Sequence, residues 1–250
     1  MTRILAMIDG SVYSHSVCDH AAWAAGRTGA DVDIIHVLGR REGSSVPVNL
    51  SGNLAVGTRD SLLAELAELD EQKSKLAQKR GRLILEEAKT FLVEDGVSEV
   101  TAKLRHGDLV ETVLEFEGDA DLLVIGKRGE AADFAKLHLG SNLERVIRSS
   151  HLPVLVSSRA FKPINRFLIA FDGGTSALKA VDHIARDPMF AGLECHILSV
   201  GQDTAETRKK LERAEALLRG GGFTVTADIH PGQADKVIAA KVESDGIDLL

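Results

Sequence analysis

Ile4-Leu5-Ala6-Met7-Ile8-Asp9-Gly10-Ser11 is a five-residue apolar run that ends in Asp-Gly, and 163 residues later Phe167-Leu168-Ile169-Ala170-Phe171-Asp172-Gly173-Gly174 repeats it. Short, continuous, apolar runs of this kind read as strands buried on both faces, as in a parallel sheet. The next strand keeps the spacing, because Val37 in Ile34-Ile35-His36-Val37 corresponds to Val200 in Ile197-Leu198-Ser199-Val200, again 163 residues on. Two matches at one offset mark an internal repeat. Further along, Val100-Thr101-Ala102 corresponds to Val225-Thr226-Ala227 at an offset of 125, so the first half carries about 38 extra residues between Val37 and Val100. That insertion is expected at about 40–80, with a loop at Gly43-Ser44-Ser45-Val46-Pro47 followed by charged helical sequence.

Between the apolar runs lie stretches with helical spacing, at 17–25, 61–93, 109–116 and 142–148. Alternation of strand and helix implies right-handed crossovers and an open α/β sheet with helices on both faces. Two tandem domains are expected, 1–160 and 161–250, joined near Pro163. Asp121-Leu122-Leu123 finds its counterpart in Asp248-Leu249-Leu250, so the second domain lacks a match for residues 124–156 and reads as incomplete. A helix from 60 to 92 would be roughly 50 Å long. It is therefore expected to project or to break near Gly81, with the segment from Ile84 to Leu92 packed on its own sheet.

Composition excludes several classes. The chain has 250 residues, 44% of them hydrophobic and 27% charged, which is ordinary for a packed globular protein. A formal net charge of -7 offers no global attraction to nucleic acid. No apolar stretch reaches the 18 or so residues of a membrane-spanning helix, and the N-terminal run is too short for a secretory segment. The two cysteines, Cys18 and Cys195, form neither a disulfide framework nor a metal motif, which fits a reducing cytoplasmic location. His15 and His20 fall on different helical faces, and no zinc spacing is present. His36 reads as a packed residue beside Val37.

In an open parallel sheet, ligands bind beyond the carboxyl ends of the strands, where helix N-termini offer free N–H groups. Two loops meet that condition. One is Asp9-Gly10-Ser11; the other is Gly126-Lys127-Arg128-Gly129, ten residues, then Gly140-Ser141-Asn142 opening a helix. Glycines let the backbone approach phosphate oxygens, and a serine at a helix start both caps the helix and donates to an anion. The same residues also suit a plain strand-to-helix turn with an ordinary cap.

This arrangement resembles the universal stress protein family in its tandem form. ATP-binding members carry G-x2-G-x9-G-[S/T] after the fourth strand, an Asp ending the first strand, and an apolar residue, often Val, ending the second. Here Gly126, Gly129, Gly140 and Ser141 match the loop, with ten residues in place of nine before Gly140; Asp9 matches the carboxylate and Val37 the adenine-side position. The resemblance implies a Rossmann-like fold and adenine nucleotide (ATP or AMP) bound by Ile8, Asp9, Val37, Gly126, Gly129, Gly140, Ser141 and Asn142. Mg or Mn would accompany ATP, turnover would be slow at most, and the role would be regulatory. It also implies an intramolecular pseudo-dimer of the two domains, or a homodimer. Two alternatives stay open: an interaction module that binds no nucleotide, and an ATP-dependent amidating enzyme, suggested by Asp172-Gly173-Gly174-Thr175-Ser176 although an Asp replaces the leading Ser of that loop.

Overall fold

The computed structural model describes residues 2–39, 56–129 and 141–250, with 56–61 and 141 described through their backbone only. Gly140, the ten residues before it and the Gly43–Pro47 stretch lie outside the described residues. The chain forms two compact units, Met1–Phe161 and Lys162–Leu250.

In the first unit, β1 (Arg3–Ile8), β2 (Asp31–Leu38), β3 (Val100–His106), β4 (Leu122–Gly126) and β5 (Val154–Ser157) form one parallel sheet in the order β3-β2-β1-β4-β5. The order reverses between β1 and β4, so the crevice beyond their carboxyl ends is the topological switch point where ligands of such sheets bind. Alternation along β1 sends Leu5 and Met7 to one face. There they join Ile35, Leu123 and Ile125 against Val113 of α3 (Leu109–Phe116) and Leu143 and Val146 of α4 (Ser141–Ser149). The opposite face is covered by α1 (Ser14–Thr28) and α2 (Val56–Glu94). Four buried alanines, Ala21, Ala22, Ala24 and Ala25, let α1 lie close to that sheet.

The α2 helix runs through Gly81 without a break. A break is the wrong reading of Gly81 because the residue is a contact. A Cβ there would lie 2.8 Å from His36 Cδ2 and 2.8 Å from Leu104 Cδ1, so the missing side chain lets α2 press onto β2 and β3. Leu85, Ala88 and Leu92 are buried beyond it, as the spacing predicts, whereas most residues between 62 and 80 are at least partly exposed.

The smaller second unit holds β6 (Arg166–Ala170), β7 (Glu194–Val200) and β8 (Val225–His230) in a parallel sheet with α5 (Thr175–Arg186), α6 (Ala205–Gly220) and α7 (Ala234–Ser244). Leu249 bridges Phe167 in parallel. The two units share a local device. Asp121 Oδ2 accepts the N–H groups of Thr2 (2.6 Å) and Arg3 (3.1 Å), and Asp248 Oδ2 accepts those of Asn165 (2.9 Å) and Arg166 (3.0 Å). In each unit a carboxylate thus anchors the first N–H groups of the opening strand. Among the described residues no helix is long and apolar enough to cross a membrane.

Candidate functional site

β1 delivers Asp9 to the switch point, with Ile8 buried behind it in the sheet. Asp9 folds back on its own loop: Oδ1 accepts the N–H of Ser11 at 2.9 Å and lies 3.3 Å from Ser14 Oγ, which itself accepts the N–H groups of Asp9 (3.2 Å) and Gly10 (2.9 Å). This asx-turn fixes the carboxylate while α1 begins. Gly10 makes it possible through a φ of +75°, and a Cβ there would also strike Ile84 Cδ1 of α2 at 2.5 Å.

The second oxygen, Asp9 Oδ2, faces the loop after β4. A Cβ on Gly129 would sit 2.7 Å from it, so this glycine lets the two loops touch. Gly126 serves a different contact, since its Cβ would meet Tyr13 Cβ at 2.9 Å. Lys127 is exposed and its N–H donates to the Ser157 carbonyl at 3.0 Å, tying the loop to β5. Ser141 begins α4, and Asn142 in its first turn is exposed. The structure therefore brings Asp9 and Gly129 together, with Gly126 on the same crevice.

Val37 lies apart from them. It is half-buried against the apolar cluster on the α3 and α4 face, whereas its neighbour His36 points to the α2 face. His36 is buried, with Nδ1 at 2.9 Å from the Ile8 carbonyl oxygen. That contact makes Nδ1 the donor and turns Nε2 toward α2. Beside it a cavity of about 260 Å³ opens between the strand ends and α2. Asp9, His36 and Leu38 form its floor; Lys73, Leu76, Ala77, Arg80 and Ile84 of α2 form its wall. Its lining combines apolar surface with two cations and one carboxylate, a mixture suited to a flat polar ring. Sequence reasoning missed Ser14, Lys73 and Arg80. The Asp9-Gly10-Ser11 turn with a serine five residues after the Asp was a signal for the first; none in the sequence marks the other two.

A divalent cation would need ligands. Among the described residues no group of three or more His, Cys, Asp or Glu side chains could hold one. A single carboxylate, Asp9, does fit a magnesium ion that takes most of its ligands from phosphates and water. The thiols are not part of the site: burial pushes Cys18 and Cys195 up to about 12.

The sequence pattern of the universal stress protein family matches residues 1–158. The chain belongs to that family. Universal stress protein Slr1230 of Synechocystis is 35% identical over 253 residues, spanning all of this chain and 88% of that protein. Universal stress protein MJ0531 of Methanocaldococcus jannaschii is 28% identical over 162 residues, 64% of this chain and 84% of its own length. Among solved structures, a universal stress protein from Archaeoglobus fulgidus superposes with a TM-score of 0.72 at 20% identity, over 98% of this chain and 84% of that one, which shows a shared fold.

Proposed function

We propose that the first unit of this universal stress protein binds an adenine nucleotide, ATP or AMP, and that binding serves regulation rather than turnover. The observation that carries the reading is the meeting of Asp9 with Gly129 at the switch point, next to the cavity beneath α2. At about 260 Å³ the cavity falls just short of the roughly 300–1,000 Å³ of sites that enclose whole small molecules. It suits a base, with the rest of the nucleotide outside. In this reading the base lies against Leu38, Ala77 and Ile84, with the Arg80 guanidinium near its face. The ribose passes Asp9, which accepts hydroxyl hydrogen bonds, and the phosphates reach the backbone N–H groups of Gly126, Gly129 and the start of α4, Ser141 and Asn142. Mg or Mn arrives with ATP and supplies charge neutralisation there.

Val37 takes part through its backbone at the end of β2, since its side chain belongs to the opposite face. Regulation is the reading we adopt because the hydrogen bonds of Asp9 Oδ1 with Ser11 and Ser14 hold its loop in shape. Isothermal titration tests the proposal. Saturable heat with one ATP or AMP per chain is the expected result; no heat at high micromolar nucleotide overturns it.

A further inference from the structure

Four leucines of α2, Leu62, Leu69, Leu76 and Leu83, follow one another at intervals of seven. Seven residues turn a helix by about 700°, or 20° short of two full turns, so the four leucines occupy a stripe only about 60° wide. The row that buries α2 on its sheet, Gly81, Leu85, Ala88 and Leu92, lies roughly 120–180° around the helix from Leu76 and Leu83, so Leu76 meets the cavity only at its outer rim. Leu69, Leu76 and Leu83 are accordingly 44%, 67% and 56% exposed. The helix is 39 residues long, about 58 Å, and its first half extends this leucine stripe away from the sheet contact. Apolar rows of that kind, on a helix with charged flanks, mark an interaction surface.

The charges name the occupant. Glu65, Glu68, Asp70 and Glu71 come first, without an intervening base; Lys73, Lys75, Lys79, Arg80 and Arg82 follow, without an intervening acid. A second α2 laid parallel would set acid on acid and base on base. Laid antiparallel about residues 71–72, it sets the acidic half of each copy on the basic half of the other. With the leucines at the d positions of a heptad, Leu66, Lys73 and Arg80 fall at a. Antiparallel packing then pairs a with d: Leu66 meets the partner's Leu76, and the Lys73 stem covers the partner's Leu69 with its ammonium free to reach acid. Glu65 comes opposite the partner's Lys79.

We infer that the exposed leucine stripe of α2 is a self-association surface on which α2 of a second copy of this chain packs antiparallel. Sedimentation velocity of the full chain tests it across 1 to 100 μM. The expected result is a dimer whose dissociation constant rises at least tenfold when Leu69→Lys and Leu76→Lys are combined, and which weakens in high salt. Both leucines are exposed, so helicity is expected to be unchanged. Orientation is read from disulfide capture under mild oxidation: Gln72→Cys, near the antiparallel centre, links two chains, whereas Leu83→Cys, at a d position far from that centre, does not. The buried native thiols stay silent. A monomeric wild type at 100 μM, a dimer that survives the double substitution, or capture through Leu83→Cys but not Gln72→Cys each overturns the inference. A different protein found on this face of a monomeric chain does so as well.

Discussion

Gly129→Ala separates a carboxylate at a binding site from a carboxylate that merely shapes a turn. Gly129 has no positive φ that would strain an alanine, so the perturbation is the methyl group alone. It would lie 2.7 Å from Asp9 Oδ2, where ordinary contact begins near 3.4 Å, and the carboxylate must withdraw by about 0.7 Å. The retreat weakens whatever Oδ2 holds. A hydrogen bond to a charged group contributes about 1.5–3 kcal/mol, so affinity for ATP and AMP is expected to fall about tenfold to 150-fold. Folding stability should scarcely change: a strained 2.9 Å bond from Ser11 N–H costs about 1 kcal/mol, and Gly→Ala returns roughly 0.4–1 kcal/mol through the unfolded chain. Titration calorimetry and urea denaturation on the same preparation read both quantities. Gly126→Ala is the contrast, because its methyl strikes Tyr13 and should lower stability by about 1–3 kcal/mol. Wild-type nucleotide affinity in Gly129→Ala would refute the role given to Asp9.

Arg80→Ala should weaken AMP and ATP by the same factor, about twofold to fivefold, because a guanidinium over the base is indifferent to phosphate number; a larger loss for ATP in calorimetry would place it on the phosphates instead. Burial holds His20 below its ordinary 6.5, opposed by its bond to the Ser16 carbonyl. The unfolded chain therefore takes up this proton first as pH falls through 6.5, and first-unit stability should drop below that point and level off below the folded value, whereas His20→Leu should flatten this segment of a stability–pH curve. Ser157 is fully buried at the end of β5, and its hydroxyl has no hydrogen-bond partner among the described residues. Ser157→Ala should raise the urea midpoint, equivalent to about 1 kcal/mol, and a lower midpoint would show that the hydroxyl is satisfied.

The strands are legible in the sequence because burial on both faces leaves continuous apolar runs, whereas the switch point emerges only from their order in the sheet. Asp9 and Gly129 are legible as types that suit such a crevice. Their mutual contact is not, since it depends on two loops separated by more than a hundred residues. Lys73 and Arg80 read only as part of a charged helical stretch; the seating of Gly81 against His36 and Leu104 swings them over β1 and β2. Gly81 itself suggests a break because helix propensity penalises glycine, whereas close packing explains its presence. Val37 and His36 show a further limit. Strand alternation separates them to opposite faces, but nothing in the strand says on which face the cavity opens.

The most direct test of nucleotide binding at the switch point is a crystal structure of the full chain grown with ATP and magnesium. The account predicts density for a base beneath α2 against Leu38 and Ile84, ribose at Asp9, and phosphates on the Gly126 to Asn142 loop. Clear density for that loop with no nucleotide at saturating ATP, or a nucleotide bound away from Asp9, would contradict it.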